Sequence, residues 1–175
     1  MNFDLQANLS GKLLSLRPLI LADFDELYAV ASDPLIWDQH PFPRYEKAAF
    51  VEFFDQAVVS KSGLVALDQE TNKMIGTSRY YDFQENRISI GYTFLARSHW
   101  GGRFNRELKT LMLEHAFKFV SEVFFDIGES NIRSRRAIEK IGAKFIKFQI
   151  TKGKPYTLYG INQKAHQAAL AEDLP

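Results

Sequence analysis

The chain has no cysteine. That absence excludes thiol nucleophiles, disulfides and cysteine metal sites together, and it fits a reducing compartment. The four histidines, His40, His99, His115 and His166, are scattered with no pair at ligand spacing, so no metal is expected. Excess charge is missing as well: 22 basic side chains stand against 21 acidic ones, for a formal net charge of +1. No global field then draws the chain to nucleic acid or to an acidic membrane, and any anion site has to be local. No run approaches the roughly 18 consecutive apolar residues of a membrane span. The opening MNFDLQANLSGK has an early acid and no apolar core of a secretory signal. A cytoplasmic protein is expected.

What is present is a large apolar complement. Hydrophobic residues make up 46% of 175 residues, with fifteen Phe among them, which suits one packed domain over residues 1–175. KLLSLRPL (Lys12 to Leu19) reads as a strand. LADFDELYAVASDP reads as a helix with Leu27, Val30 and Ala31 on one face, and Pro34 ends it. LIWDQHPFPRYE is an aromatic loop, and KAAFVEFFDQAVVSK returns to helix period. GLVALDQ, KMIGTSRYYDF and RISIGYTFLA then form an antiparallel meander. In its third strand Ile88, Ile90, Tyr92 and Phe94 share one face and Ser89, Gly91, Thr93 and Leu95 the other, with Gly91 marking a bulge or a close approach. Leu108, Leu111, Met112, His115, Ala116 and Phe119 make a buried helical stripe, which places His115 in the core. EVFFDIG is a buried strand and SNIRSRRAIEKIG a helix with Gly142 at a left-handed cap. AKFIKFQI and PYTLYGIN close the sheet, and QKAHQAALAEDLP is a short helix or frayed end. The class is α/β (α+β): a mixed, mostly antiparallel sheet of about seven strands with about four helices, in the order β-α-α-β-β-β-α-β-α-β-β.

Two stretches carry chemistry. WGGRFNREL joins a strand to a helix start, where unpaired amides and the helix dipole favour an anion and Gly101 and Gly102 let the backbone turn closely. Large polar residues, Arg103, Asn105 and Arg106, occupy that loop. In the later helix Asn131 and Ser134 lie three apart on one face; both could reach a ligand, and Asn131 equally suits a helix cap. Arg133, Arg135 and Arg136 lie around them, and Arg97, Arg103 and Arg106 come from the other loop. Arginines on a helix also read as a solvated face. Two such groups beside two helix starts point to a ligand with several phosphates.

With LRPLILADFDELYAVASDP, IGYTFLARSHWGGRFNRELKTLMLEHAF and NIRSRRAIEKIGAKF, the chain resembles the GNAT superfamily of N-acetyltransferases, within it the branch containing the ribosomal-protein N-terminal acetyltransferases. The last motif is the most specific. The resemblance implies an acetyl-CoA cosubstrate whose pantetheine arm bonds to the backbone of Phe94, Leu95 and Ala96, inserted between two splayed strands. It implies a pyrophosphate held by the amides of Gly101, Gly102, Arg103, Phe104, Asn105 and Arg106, with Arg97 alongside, and an arm approached by Asn131 and Ser134. The family loop has small residues where Arg103 and Asn105 stand. The branch often has Glu where this chain has Ser89, so the usual base is missing; His40, Glu85 and Tyr92 are of suitable type and none is assigned. With no cysteine, the amine attacks directly in a ternary complex, and Ser134 donates to the leaving thiolate. Trp37, Tyr80 and Tyr92, with Phe42 and Tyr45, suggest a partly apolar acceptor pocket or, equally, core. The acceptor is a peptide amino terminus or a small-molecule amine. The other function compatible with the altered loop and the missing Glu is a non-catalytic acyl-CoA-binding sensor or interaction module. Tyr156, Leu158 and Tyr159 offer a surface for a homodimer.

Overall fold

The computed structural model describes residues 3 to 172. Its strands are Leu9–Ser10 (β1), Leu14–Pro18 (β2), Gly63–Asp68 (β3), Met74–Gln84 (β4), Arg87–Leu95 (β5), Glu122–Gly128 (β6), Lys144–Thr151 (β7) and Lys154–Asn162 (β8). The α-helices are Phe24–Ala31 (α1), Lys47–Val59 (α2), Arg103–Ala116 (α3), Ile132–Glu139 (α4) and Gln163–Glu172 (α5). One sheet results, in the order β1-β2-β3-β4-β5-β6-β8-β7. Among the described residues, only β5 and β6 pair in parallel. The sheet has one strand more than the sequence pattern gives, because β1 is two residues long, too short to show a period. The extra helix is α5, in the tail. It packs on the end of α4: Gly142 takes the left-handed conformation expected of it, φ +97°, and a Cβ there would stand 2.7 Å from the Ala165 carbonyl oxygen.

Alternation along the strands feeds two cores, one on each face. Leu64 and Ala66 join Leu108, Met112 and Ala116 of α3, while Val65 between them joins Leu27 of α1 and Phe50 and Phe54 of α2. His115 is core, as its stripe predicts, with Nε2 2.8 Å from the Asp4 carbonyl. Tyr80 is core too, and this corrects its place in the acceptor pocket. It is fully buried, and its hydroxyl donates to the Met112 carbonyl at 2.8 Å. Tyr80 thus faces α3, away from the aromatic loop.

Two local devices set the position of the site. Glu107, in the first turns of α3, accepts the backbone N–H groups of Lys12, Leu13 and Leu14 at 2.9, 2.7 and 2.9 Å, fixing the start of α3 to β2. The second is a bulge in β5. Thr77 pairs with Phe94 and Arg79 with Gly91, so Tyr92 and Thr93 together oppose Ser78, and Tyr92 adopts φ +55°. An aromatic residue in the left-handed region costs about 1–3 kcal/mol and persists only where its surroundings enforce it. The extra residue also overturns the expected face assignment: Ile88 and Ile90 pack on the α3 side, Tyr92 and Phe94 on the α1–α2 side, and Leu95 returns to the first.

Tyr156, Leu158 and Tyr159 do not form a free surface. They lie on β8, which is paired on both sides, and Tyr159 is buried. The outer edge at this end is β7, whose Ile146, Phe148 and Ile150 are exposed.

Candidate active site

Strands β5 and β6 pair only from Arg87 with Glu122 to Ser89 with Phe124. Beyond that they part, and β6 continues against β8 alone. The gap between Ile90–Leu95 and Phe125–Gly128 is a cavity of about 630 Å³ reached by the starts of α3 and α4. Along its β5 wall the Ala96 N–H donates to the Ile75 carbonyl at 2.7 Å, and a Cβ on Gly76 would fall 2.0 Å from the Phe94 carbonyl oxygen. Both residues therefore turn their backbone towards β4, and alternation turns that of Leu95 into the gap. The Leu95 carbonyl accepts the Trp100 indole N–H at 3.0 Å.

At the α3 end, Gly101 and Gly102 have φ of +103° and +99°, and a Cβ on either would meet nothing within 4 Å. Glycine is needed there for the turn itself. Gly102 caps α3 without a side-chain bond, and the Arg106 N–H makes the first helical bond, to Gly102 O at 2.8 Å. The amides of Arg103, Phe104 and Asn105 have no partner within the helix. Asn105, Gly101 and Gly102 line the cavity. Arg103 is exposed and makes no ion pair or hydrogen bond among the described residues. Phe104 sits edge-on to His99 at 4.7 Å between centroids, Arg106 reaches the Ala169 carbonyl, and Arg97 is paired with Asp33.

At the α4 end, Asn131 caps the helix, its Oδ1 accepting the Ser134 N–H at 3.0 Å. It is buried and outside the cavity wall. Ser134 is in the wall, and its hydroxyl has no partner among the described residues. The arginines divide. Arg133 lies over Trp100, 4.2 Å from the ring centroid, and binds the Ile36 carbonyl and Asp38. Arg135 turns to Tyr159 and Glu129, and Arg136 faces the cavity.

Two charged groups in the wall complete the geometry. Lys109 of α3 is buried, with Nζ donating to Thr93 Oγ1 at the bulge, and no carboxylate among the described residues pairs with it. Burial pushes its ammonium down to about 7. Asp126 of β6 is the wall's one carboxylate among the described residues; Tyr81 donates to its Oδ2 at 2.9 Å and Gln149 to its Oδ1. Burial, and next Asp126, push the Tyr81 phenol well above its ordinary value. At the acceptor end Trp37 and Tyr92 line the cavity, Trp37 fixed by an indole bond to the Ala31 carbonyl at 2.8 Å. Phe42 and Tyr45 stand outside the wall. His40 lines it, but burial and then Arg44 drive its imidazole down to about 3, so it stays uncharged near neutrality and is a weak base. Glu85 is exposed in the β4–β5 turn.

The sequence model of the acetyltransferase (GNAT) domain matches residues 14–144. The chain belongs to the GNAT acetyltransferases. Solved structures agree in fold. A GCN5-related N-acetyltransferase from Brucella melitensis is 20% identical with a TM-score of 0.81, the match covering 97% of this chain and 86% of that one. A spermidine N-acetyltransferase from Vibrio cholerae, in complex with CoA and spermine, is 15% identical with a TM-score of 0.70, covering 90% and 99%. A candidate ribosomal-protein-serine acetyltransferase from Vibrio cholerae is 15% identical with a TM-score of 0.73, covering 89% and 97%. No curated protein matches the chain significantly.

Within this GNAT site, sequence reasoning missed Lys109 and Asp126. Asp126 had a signal: it is the lone charge inside the apolar run VFFDI. Lys109 had none, since it follows Leu108 beside the apolar stripe and reads as a helix flank until the bulge brings Thr93 over it.

Proposed function

We propose that this GNAT protein is an acetyl-CoA-dependent N-acetyltransferase, a single domain over residues 1–175 acting in the cytoplasm on a primary amine that attacks directly in a ternary complex. The observation that carries the reading is the splayed gap between β5 and β6, with an uncapped helix start at one end and the unpartnered Ser134 hydroxyl at the other. An extended arm in such a gap bonds as an added strand would, through the backbone of Leu95. The free amides of Arg103, Phe104 and Asn105 and the open turn at Gly101 and Gly102 suit a pyrophosphate, with Arg136 adding charge. Bound acetyl-CoA would supply the acetyl group as an activated thioester.

The remaining work falls to this chain's own side chains. Ser134 holds a proton for the leaving thiol. Asp126 takes the place of the carboxylate missing at Ser89: it lies on the neighbouring strand, two residues beyond the partner of Ser89, where it orients the amine and accepts its proton. Lys109 sets a positive charge behind Thr93, favouring negative charge as it develops in the gap. A second copy, if one pairs, does so at the β7 edge, and light scattering of Phe148→Lys against the native protein tests this.

Calorimetry with acetyl-CoA and CoA, followed by thiol release over a panel of amines and peptides, tests the function. Binding with release is expected; tight binding without release over the whole panel would favour the sensor, and no binding would overturn the reading.

A further inference from the structure

Behind the wall at the acceptor end of the cavity stand more hydrogen-bond donors than acceptors. Arg44 and Arg79 flank the Tyr92 ring, their guanidinium carbons 5.4 and 4.1 Å from its centroid. Neither forms an ion pair among the described residues. Arg79 is buried; it donates to the Phe53 carbonyl at 3.2 Å, and its Nε meets no acceptor. Arg44 is partly buried behind His40 and Tyr92, both in the wall, and among the described residues its guanidinium has one polar contact, His40 Nε2 at 3.2 Å. Lys154 adds a third cation, held by the Pro41 carbonyl over the Phe42 ring. The hydroxyls of Tyr92 and Tyr156 are without partners among the described residues, and both residues line the cavity. Among the described residues, Asp126 in the wall and Glu52 near Arg44 oppose this charge.

Aromatic faces offset part of the cost of holding two guanidinium groups together, and an oxyanion would satisfy the rest, since arginine matches carboxylate and phosphate with paired N–H groups. We infer that the acceptor amine itself carries an oxyanion, a carboxylate or a phosphate, held by the wall hydroxyls of Tyr92 and Tyr156 and by the charge of Arg44 behind them, while its amino group faces Asp126. This rests on the acetyltransferase reading and deepens it. The acceptor is then zwitterionic, of the amino-acid or aminoalkyl-phosphate kind. A polyamine fits poorly, because each added ammonium meets Arg44, Arg79 and Lys154.

The test compares matched pairs: free amino acids with their carboxamides, phosphoethanolamine with ethanolamine, and spermidine with both. Thiol release follows turnover, and thermal shift follows acceptor binding without acetyl-CoA. The acid of one pair is expected to exceed its neutral partner in kcat/KM by about 30-fold or more, on the scale of a charge-assisted hydrogen bond, and the two pairs tell carboxylate from phosphate. Arg44→Gln should abolish that preference, with Arg44→Lys restoring part of it. Tyr156→Phe, which keeps the ring, should cost the acid alone about 5-fold. Equal rates for acid and neutral partner, or faster turnover of spermidine, would overturn the inference. Acid-selective thermal shift without acetyl-CoA turnover would uphold the anion pocket and overturn the acetyltransferase reading.

Discussion

Lys109 Nζ donates to Thr93 Oγ1, and that hydroxyl lies 2.7 Å from Ser78 Oγ, so a buried ammonium is tied to the bulge of β5 by hydroxyls alone. An ammonium held this way costs stability. Its folded value is about 7, against about 10.4 in an unfolded chain. Between those values the unfolded state binds more protons, so the contribution of Lys109 to stability improves as pH rises through 7 and its cost is complete below 7. Lys109→Met should therefore raise the melting temperature by about 3 °C or more at pH 6, with the gain fading towards pH 10. The same variant should lower kcat by about 10-fold or more at neutral pH. Melting curves and initial rates on one preparation check both; a loss of stability at pH 6 would refute the account of this residue.

The Ser134 hydroxyl faces the cavity without a partner among the described residues, whereas the Asn131 side chain caps α4. Ser134→Ala should reduce kcat by about 10- to 100-fold with acetyl-CoA affinity within about 3-fold of native. Asn131→Ala should act through the helix, lowering stability by about 1 kcal/mol. Steady-state kinetics beside chemical denaturation separates the two effects.

Arg136 faces the gap and Arg103 does not. Arg136→Gln should weaken CoA binding by about 5- to 10-fold, more at low salt, while Arg103→Gly should change it by less than about 2-fold. Calorimetry with CoA and with 3′-dephospho-CoA reads this directly.

Glu107 accepts the backbone N–H groups of Lys12, Leu13 and Leu14. Glu107→Ala should destabilise the protein by about 2–4 kcal/mol, because it leaves those donors unsatisfied beside β2. Urea denaturation measures it, and a change below about 0.5 kcal/mol would show that the clamp does not hold α3.

The contrast between Gly102 and Lys109 shows what the sequence makes legible. Period-two and helix-period runs fixed the meander, α3 and α4 and their order, because each buries one continuous face; the glycine turn before α3 and the Asn131 cap follow from local backbone chemistry. Tyr80 and the faces of β5 did not follow. A bulge at Tyr92 shifts the register by one residue, and only pairing with β4 reveals it. The arginines misled for a related reason: Arg97 and Arg106 stand in one sequence group and Arg135 in another, but their partners Asp33, Ala169 and Tyr159 lie elsewhere in the chain. Asp126 and Arg44 gain their meaning only where distant segments meet.

The most direct measurement is an acetyl-CoA titration of the native protein by calorimetry, with mass analysis of any acceptor in the same mixture. The account predicts one site per chain with a Kd of about 1–100 μM, equivalent to about −8 to −5.5 kcal/mol, and an acceptor heavier by one acetyl group on nitrogen. No heat at about 1 mM acetyl-CoA, where even a −4.1 kcal/mol site would be half filled, would contradict it.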